Sequence, residues 1–245
     1  MGLKLHGDYL ERYGMQAWCF RAACGVASRT IGFRALRGMT LDPEDVDPRY
    51  LDLPERFTHH RCTAEEFADR DAVVGTDMEA FCAQAAQRGD WCHYIADGDT
   101  VASYGWYAQK PVPALDETWI RFSPKYVYMY KGFTIPEYRG LQLHGYGMAH
   151  AAAAAVDSGY EGLISFVEVQ NEGSLRSVTR LGYRIFGTCT QIRMSGKTLT
   201  HRTPGCRAYE FELFVPGEGE GRPWGTGSAK PEAPTSGPMS VGPPS

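Results

Sequence analysis

The chain has 245 residues, 43% hydrophobic and 22% charged, enough for a real core in one large domain or two small ones. A formal net charge of −4 gives no general attraction for nucleic acid or anionic membranes, and no apolar run reaches the roughly 18–20 residues of a spanning helix. Seven cysteines without paired close spacing fit free thiols in a reducing cytosol, and neither Cys19–Cys24 nor Cys92-His93 has the second pair a structural metal needs, so no metal is expected.

In chain order, Asp8, Glu11 and Arg12 stand where an export signal needs an apolar core, so a cytoplasmic protein is expected. Residues 8–28 read as a helix with Leu10, Tyr13, Ala17 and Trp18 on one side, packed on the domain or walling an acceptor site. Residues 1–32 are thus an N-terminal helical extension. Phe33–Leu41 reads as the first strand. Residues 42–61 hold three prolines and read as a long loop, with His59-His60 near its end. Thr63–Glu66 is a capping box, and Thr76–Glu79 a second; its helix carries Met78, Phe81, Cys82, Ala85 and Ala86 at helical spacing and stops at Gly89. Trp91–Ala108 is a hairpin turning at Asp97-Gly98. Pro111–Pro124 reads as an irregular connection, either a cover for a pocket or a surface loop pinned by Trp119 and Phe122.

Tyr126–Ile135 is aromatic and β-branched, which suits a buried strand, and Pro136 stops its pairing. After Arg139-Gly140, the Ala-rich stretch Leu141–Val156 reads as a helix ending before Gly159. A strand entering a helix through so short a turn presents unpaired N–H groups and the positive end of the helix dipole, a ready phosphate site. Leu163–Val169 is the next strand, with Ile164, Phe166 and Glu168 on one side and Ser165, Val167 and Val169 on the other. Asn171 caps a helix running to Leu181 and ending at Gly182. Tyr183–Met194 and Ala208–Val215 read as the last strands, leaving 33–215 as one domain. Residues 216–245 are rich in Gly, Pro, Ser and Glu and read as a disordered tail.

TIPEYRG, Thr134 to Gly140, followed by a helix resembles the acyl-CoA motif of the GNAT N-acetyltransferase superfamily, in which a strand ends V-x-P-x-x-R-G-x-G-x-G. NEGSLRSVTRLGY, Asn171 to Tyr183, resembles the family's second motif, N-x-x-A/S with an L-G-F/Y ending, and the likeness spans residues 33–214. The resemblance implies an α/β (α+β) GNAT fold: a mixed, mostly antiparallel sheet of six to seven strands flanked by helices. Strands four and five, Tyr126–Ile135 and Leu163–Val169, would splay apart and hold an acyl-pantetheine arm along the backbone of Gly132–Ile135. It implies contacts to coenzyme A from Phe133, Thr134, Ile135, Arg139, Gly140, Leu141, Gln142, Leu143, His144, Gly145, Asn171 and Ser174. The activity implied is transfer of acetyl from acetyl-CoA to a primary amine of a small molecule or peptide by direct attack, without metal, nucleic acid or membrane, in a possible homodimer.

Two departures are specific. Gln142 and His144 stand where the family has glycines. Phe166 and Val178 occupy the positions at which ribosomal-protein N-acetyltransferases carry a Glu base and a Tyr acid, and neither can move a proton. Glu168, on the face of Phe166, is the replacement base, unless it points to solvent or pairs with an Arg. Tyr128, with Tyr130 behind it, and Ser177 are candidate donors; Cys189 would need a base beside it to act as a nucleophile. Asp42, Glu44, Asp45, Asp47 and Asp52 are compatible with an acidic lining for an amine-rich acceptor. Two other readings stay open: a non-catalytic module that binds acyl-CoA, and a transferase using a longer acyl chain on CoA or acyl carrier protein.

Overall fold

The computed structural model describes residues 2–70, 76–115, 118–194 and 197–216. The chain opens on α1 (Gly2–Ile31), which is broken where Gly14 takes φ 85° and ψ 169°. Then come β1 (Arg34–Leu41) and two single turns of 3-10 helix, Pro43–Asp45 and Pro48–Tyr50, each begun by a proline. The expected long loop ends there. Residues Phe57–Thr63 form β2, an edge strand burying only Phe57 and Cys62, and His59-His60 lie on it. The capping box before α2 (Ala64–Ala68) is formed: Thr63 Oγ1 accepts from the Glu66 N–H at 3.3 Å, and Glu66 Oε2 accepts from the Thr63 N–H at 2.8 Å. The capping side chains expected at Thr76 and Asp77, which begin α3 (Thr76–Arg88), lie outside the described residues, as does the tail from residue 217.

The hairpin is β3 (Trp91–Asp97) and β4 (Thr100–Ala108), turned by Gly98 at φ 59°. The Pro111–Pro124 connection is not irregular. β5 (Val112–Leu115), β6 (Thr118–Arg121) and β11 (Glu212–Phe214) form a second, three-stranded sheet with β6 in the middle. Pro113 is tolerated because β5 is an edge. The remaining elements are β7 (Tyr126–Thr134), α4 (Leu143–Asp157), β8 (Gly162–Glu168), α5 (Glu172–Leu181), β9 (Arg184–Met194), β10 (Lys197–Arg202) and α6 (Pro204–Ala208). The strand expected from Ala208 is cut to β11, because Pro204 starts a helical turn there.

The main sheet has eight strands in the order β10-β9-β1-β8-β7-β4-β3-β2, so the sheet is larger than the six to seven strands expected. Among the described residues only β7 and β8 are parallel neighbours in it. The class is mixed α/β with a mostly antiparallel sheet, as expected. One face packs Met39, Leu41, Val127, Met129 and Val167 against Met148 and Ala152 of α4 and Leu175 and Leu181 of α5. The opposite face packs Leu36, Tyr126, Tyr128 and Ile164 against the small sheet, and Cys92, Tyr94 and Trp106 against α2 and α3. Each fully buried large side chain contributes roughly 1.5–3 kcal/mol. Among the described residues no helix is long and apolar enough to cross a membrane.

Candidate functional site

Strands β7 and β8 pair at three positions, Tyr126 with Gly162, Val127 with Leu163 and Tyr128 with Ile164, and then part. A bulge accompanies the parting. Trp106 of β4 faces Tyr130, but Tyr104 faces Phe133, so β7 carries one residue more than its partner, and Lys131 sits in the left-handed region at φ 48°. Ser165 Oγ bridges the mouth of the gap by donating to the Met129 carbonyl at 2.9 Å.

A cavity of about 580 Å³ fills the gap. It is lined by His144, Met148, Ser174, Ser177, Val178 and Tyr183 on the α4–α5 side, and by Phe81, Gln84, Arg88, Pro113 and Ala114 on the α3–β5 side, with β7 and β8 between. The cavity therefore passes through the sheet. Among the described residues no Asp or Glu lines it, and the acidic residues of 42–52 do not form its wall. Asp45 instead pairs with Arg184 and Asp47 with Arg49.

A second cavity of about 160 Å³ lies at the turn into α4, lined by Thr134, Arg139, Gly140, Gln142, Leu143, His144, Gly145, Ser177 and Arg180, with Tyr50. Gly140 takes φ 90°, and Gln142, as N-cap, takes φ 60° without a side-chain cap bond. Gln142 thus adopts the left-handed backbone that a glycine adopts more cheaply. Two guanidiniums and a helix N-terminus face this cavity, a fit for phosphate. His144 and Ser177 line both cavities.

The structure thus brings Thr134, Arg139, Gly140, Gln142, Leu143, His144 and Gly145 together. It does not bring in Phe133, Ile135 or Leu141, which line neither cavity; Phe133 and Leu141 are exposed. Ser174 and Ser177 line the gap, whereas Asn171 caps α5, its Oδ1 accepting from the Ser174 N–H at 3.2 Å. Tyr128 lines the gap but is buried, stacked on Phe122, Tyr130 and Phe166, and burial pushes its phenol far up. Glu168 is the clear correction. β8 turns its end away with β1, where Glu168 faces Leu36, and α1 covers it. Glu168 lines a separate pocket with Cys24, Ser28 and Arg34 and accepts from Gln170 Nε2 at 3.0 Å.

A carboxylate that sequence reading missed lies behind the gap wall, one hydrogen bond from Tyr130. Tyr130 donates to Asp90 Oδ2 at 2.6 Å and accepts from Arg88 Nη2 at 3.0 Å, while Arg88 and Asp90 pair at 2.7 Å. The Asp90 side chain is 1% exposed, and its Oδ1 has no hydrogen-bond partner among the described residues. Burial raises its pKa, outweighing the bonds from Tyr130 and Arg88. The only sequence signal was an Asp directly after the helix-stop Gly89, which ordinarily marks a solvated turn. Among the described residues no group of three or more His, Cys, Asp or Glu is arranged to hold a metal.

No family model matches the sequence, and no curated protein matches it. Solved structures similar in fold include a GCN5-related N-acetyltransferase-like protein from Streptococcus suis, 17% identical over 72% of this chain and 67% of that one, TM-score 0.46. A GCN5-related N-acetyltransferase from Kribbella flavida is 16% identical over 69% and 58%, TM-score 0.42. An acetyltransferase of the GNAT family from Colwellia psychrerythraea is 12% identical over 72% and 62%, TM-score 0.45. The chain spans less than two thirds of the length of the last two. At these identities and TM-scores the likeness carries no functional weight.

Proposed function

We propose that the chain is a coenzyme A-dependent N-acyltransferase of GNAT type. The phosphate end of an acyl-CoA sits at the turn before α4, the acyl-pantetheine arm lies between β7 and β8, and a primary amine of a small molecule or peptide enters from the α3 side. One observation carries this reading: a cavity suited to phosphate meets, at His144 and Ser177, a cavity that crosses the sheet through parted parallel strands. Beyond Tyr128 the edge of β7 has no strand partner on the β8 side, and an extended amide-bearing arm satisfies such an edge as an added strand does.

In the reaction the amine nitrogen attacks the thioester carbonyl carbon, the C–S bond breaks, and the thiolate leaves. The proton lost by the amine passes to Tyr130 as the Tyr130 proton passes to Asp90, a carboxylate whose raised pKa suits it to accept. The apolar wall of Met129, Met148, Val167 and Tyr183 also has room for more than an acetyl group, which favours a longer acyl chain as the second reading.

The test is thiol release from acetyl-CoA and from longer acyl-CoAs over a panel of amines. Tyr130→Phe is expected to lower kcat by about 10²-fold with donor affinity unchanged, since the proton route is lost and the arm's contacts are not. A full rate in Tyr130→Phe would remove Tyr130 and Asp90 from the chemistry.

A further inference from the structure

His144, on the first turn of α4, lines both cavities together with Ser177. Its imidazole lies against bare backbone at Gly132, the residue after the left-handed Lys131. A Cβ built on Gly132 would overlap the ring, and one on Gly105 would stand 3.5 Å from it. No described residue hydrogen-bonds the ring. Burial holds it neutral, with its pKa down at about 4. So weak a base is a poor acceptor for an ammonium proton, and the Tyr130–Asp90 pair already serves the far end of the gap. What remains is position: the ring lines both cavities, against Gly132, where an arm must pass from the turn into the gap.

Resting on the acyl-CoA reading above, we infer that His144 is a gate, its ring closed on Gly132 in the empty protein and displaced by a ligand that spans both cavities. Only ligands long enough to thread from the turn into the gap feel it. Its effect follows from population. If the ring stands off Gly132 about a tenth of the time, threading is weakened about tenfold, and a smaller side chain removes that factor.

Two probes separate the gate from the reading beneath it. Coenzyme A spans both cavities; adenosine 3′,5′-bisphosphate reaches only the turn. In His144→Ala the association rate and affinity of coenzyme A are expected to rise about tenfold, with the bisphosphate unchanged. Equal or weaker coenzyme A binding in His144→Ala overturns the gate while leaving the acyl-CoA reading intact. Binding of neither probe, by either protein, overturns both.

A ligand-free cycle checks the contact itself. Gly132→Ala is expected to lower the unfolding midpoint in the wild-type chain, where the new Cβ strikes the ring, and to cost clearly less in His144→Ala, where it meets only the flexible Met129 methyl at 3.0 Å. Equal loss in both backgrounds overturns the gate, because the ring would then not be resting on Gly132.

Discussion

Gly182→Ala is expected to destabilise the protein by roughly 3 kcal/mol or more, a fall of roughly 6–12 °C in Tm. Gly182 ends α5 at φ 123°, a backbone that side-chain-bearing residues rarely adopt. A Cβ there would land on the backbone carbonyl oxygen of Asp45. That carbonyl cannot retreat easily. The Asp45 N–H donates to Asp42 at 2.9 Å, the Asp47 N–H donates to the Leu181 carbonyl at 2.9 Å, and the Asp45 side chain is bonded by Arg184. Leu181 and Tyr183, on either side, are buried in the core. The contact therefore fixes the C-terminal end of α5 to the turn after β1. Because α5 brings Ser174, Ser177 and Val178 to the gap, the same variant should also bind donor less well. Thermal unfolding decides it: a midpoint within a degree or so of wild type would mean that α5 is not held as described.

Stability is also expected to fall steeply with acid, by about 3–5 kcal/mol between pH 6.5 and 4, a large share of the 5–15 kcal/mol typical of a domain. The cause is a stack of three histidines. His59 Nε2 lies 2.9 Å from His93 Nδ1, their rings are 5.0 Å apart, and the His150 ring is 4.6 Å from that of His59. The short N–N contact requires one nitrogen to be a bare acceptor, so the pair shares one proton at that position. Burial is the first cause of the low values, about 4 for His59 and about 3 for His93; the neighbouring histidines and, for His93, Arg61 add repulsion. His150 is lowered by burial. These folded-state values lie below the unfolded value near 6.5. The unfolded chain therefore binds more protons below about pH 6.5, and the contribution present above that pH is lost as pH falls toward 4 and 3. Asp42 and Asp90, raised by burial, act in the opposite sense and soften the fall. Urea denaturation across this range should show the loss in wild type and a shallower slope in His59→Gln. Constant stability from pH 7 to 4.5 would contradict the buried stack.

The strand–turn–helix at the centre was legible because each local signal agreed: aromatic and β-branched residues in β7, Pro136 at its end, and an Ala-rich run that prefers helix. The alternation in β8 was legible too. Ile164 and Phe166 do face the small sheet, and Val167 the α4 side. What covers each face was not legible. Glu168 follows that alternation, yet α1 closes over its end of the strand, a partner no local pattern announces. β2 was missed because an edge strand such as FTHHRCT buries too little to alternate clearly, and β5 because two prolines read as a break. Asp90 looked like a turn residue, since its burial depends on Tyr130, 40 positions away. The glycine in Leu181-Gly182-Tyr183 could be read as a helix stop, but not as a seat for the Asp45 carbonyl.

The measurement closest to the central claim is thermal unfolding of the wild-type chain with coenzyme A, acetyl-CoA and a long-chain acyl-CoA. A ligand that binds only the folded protein adds about 2.7 kcal/mol at a hundredfold excess over its dissociation constant, a rise of several degrees for a chain this long. A rise with at least one of these donors is the predicted result, and the donor giving the largest rise points to the acyl length the gap prefers. An unchanged midpoint with all three, at concentrations far above micromolar, would contradict the assignment of the β7–β8 gap to an acyl-CoA arm.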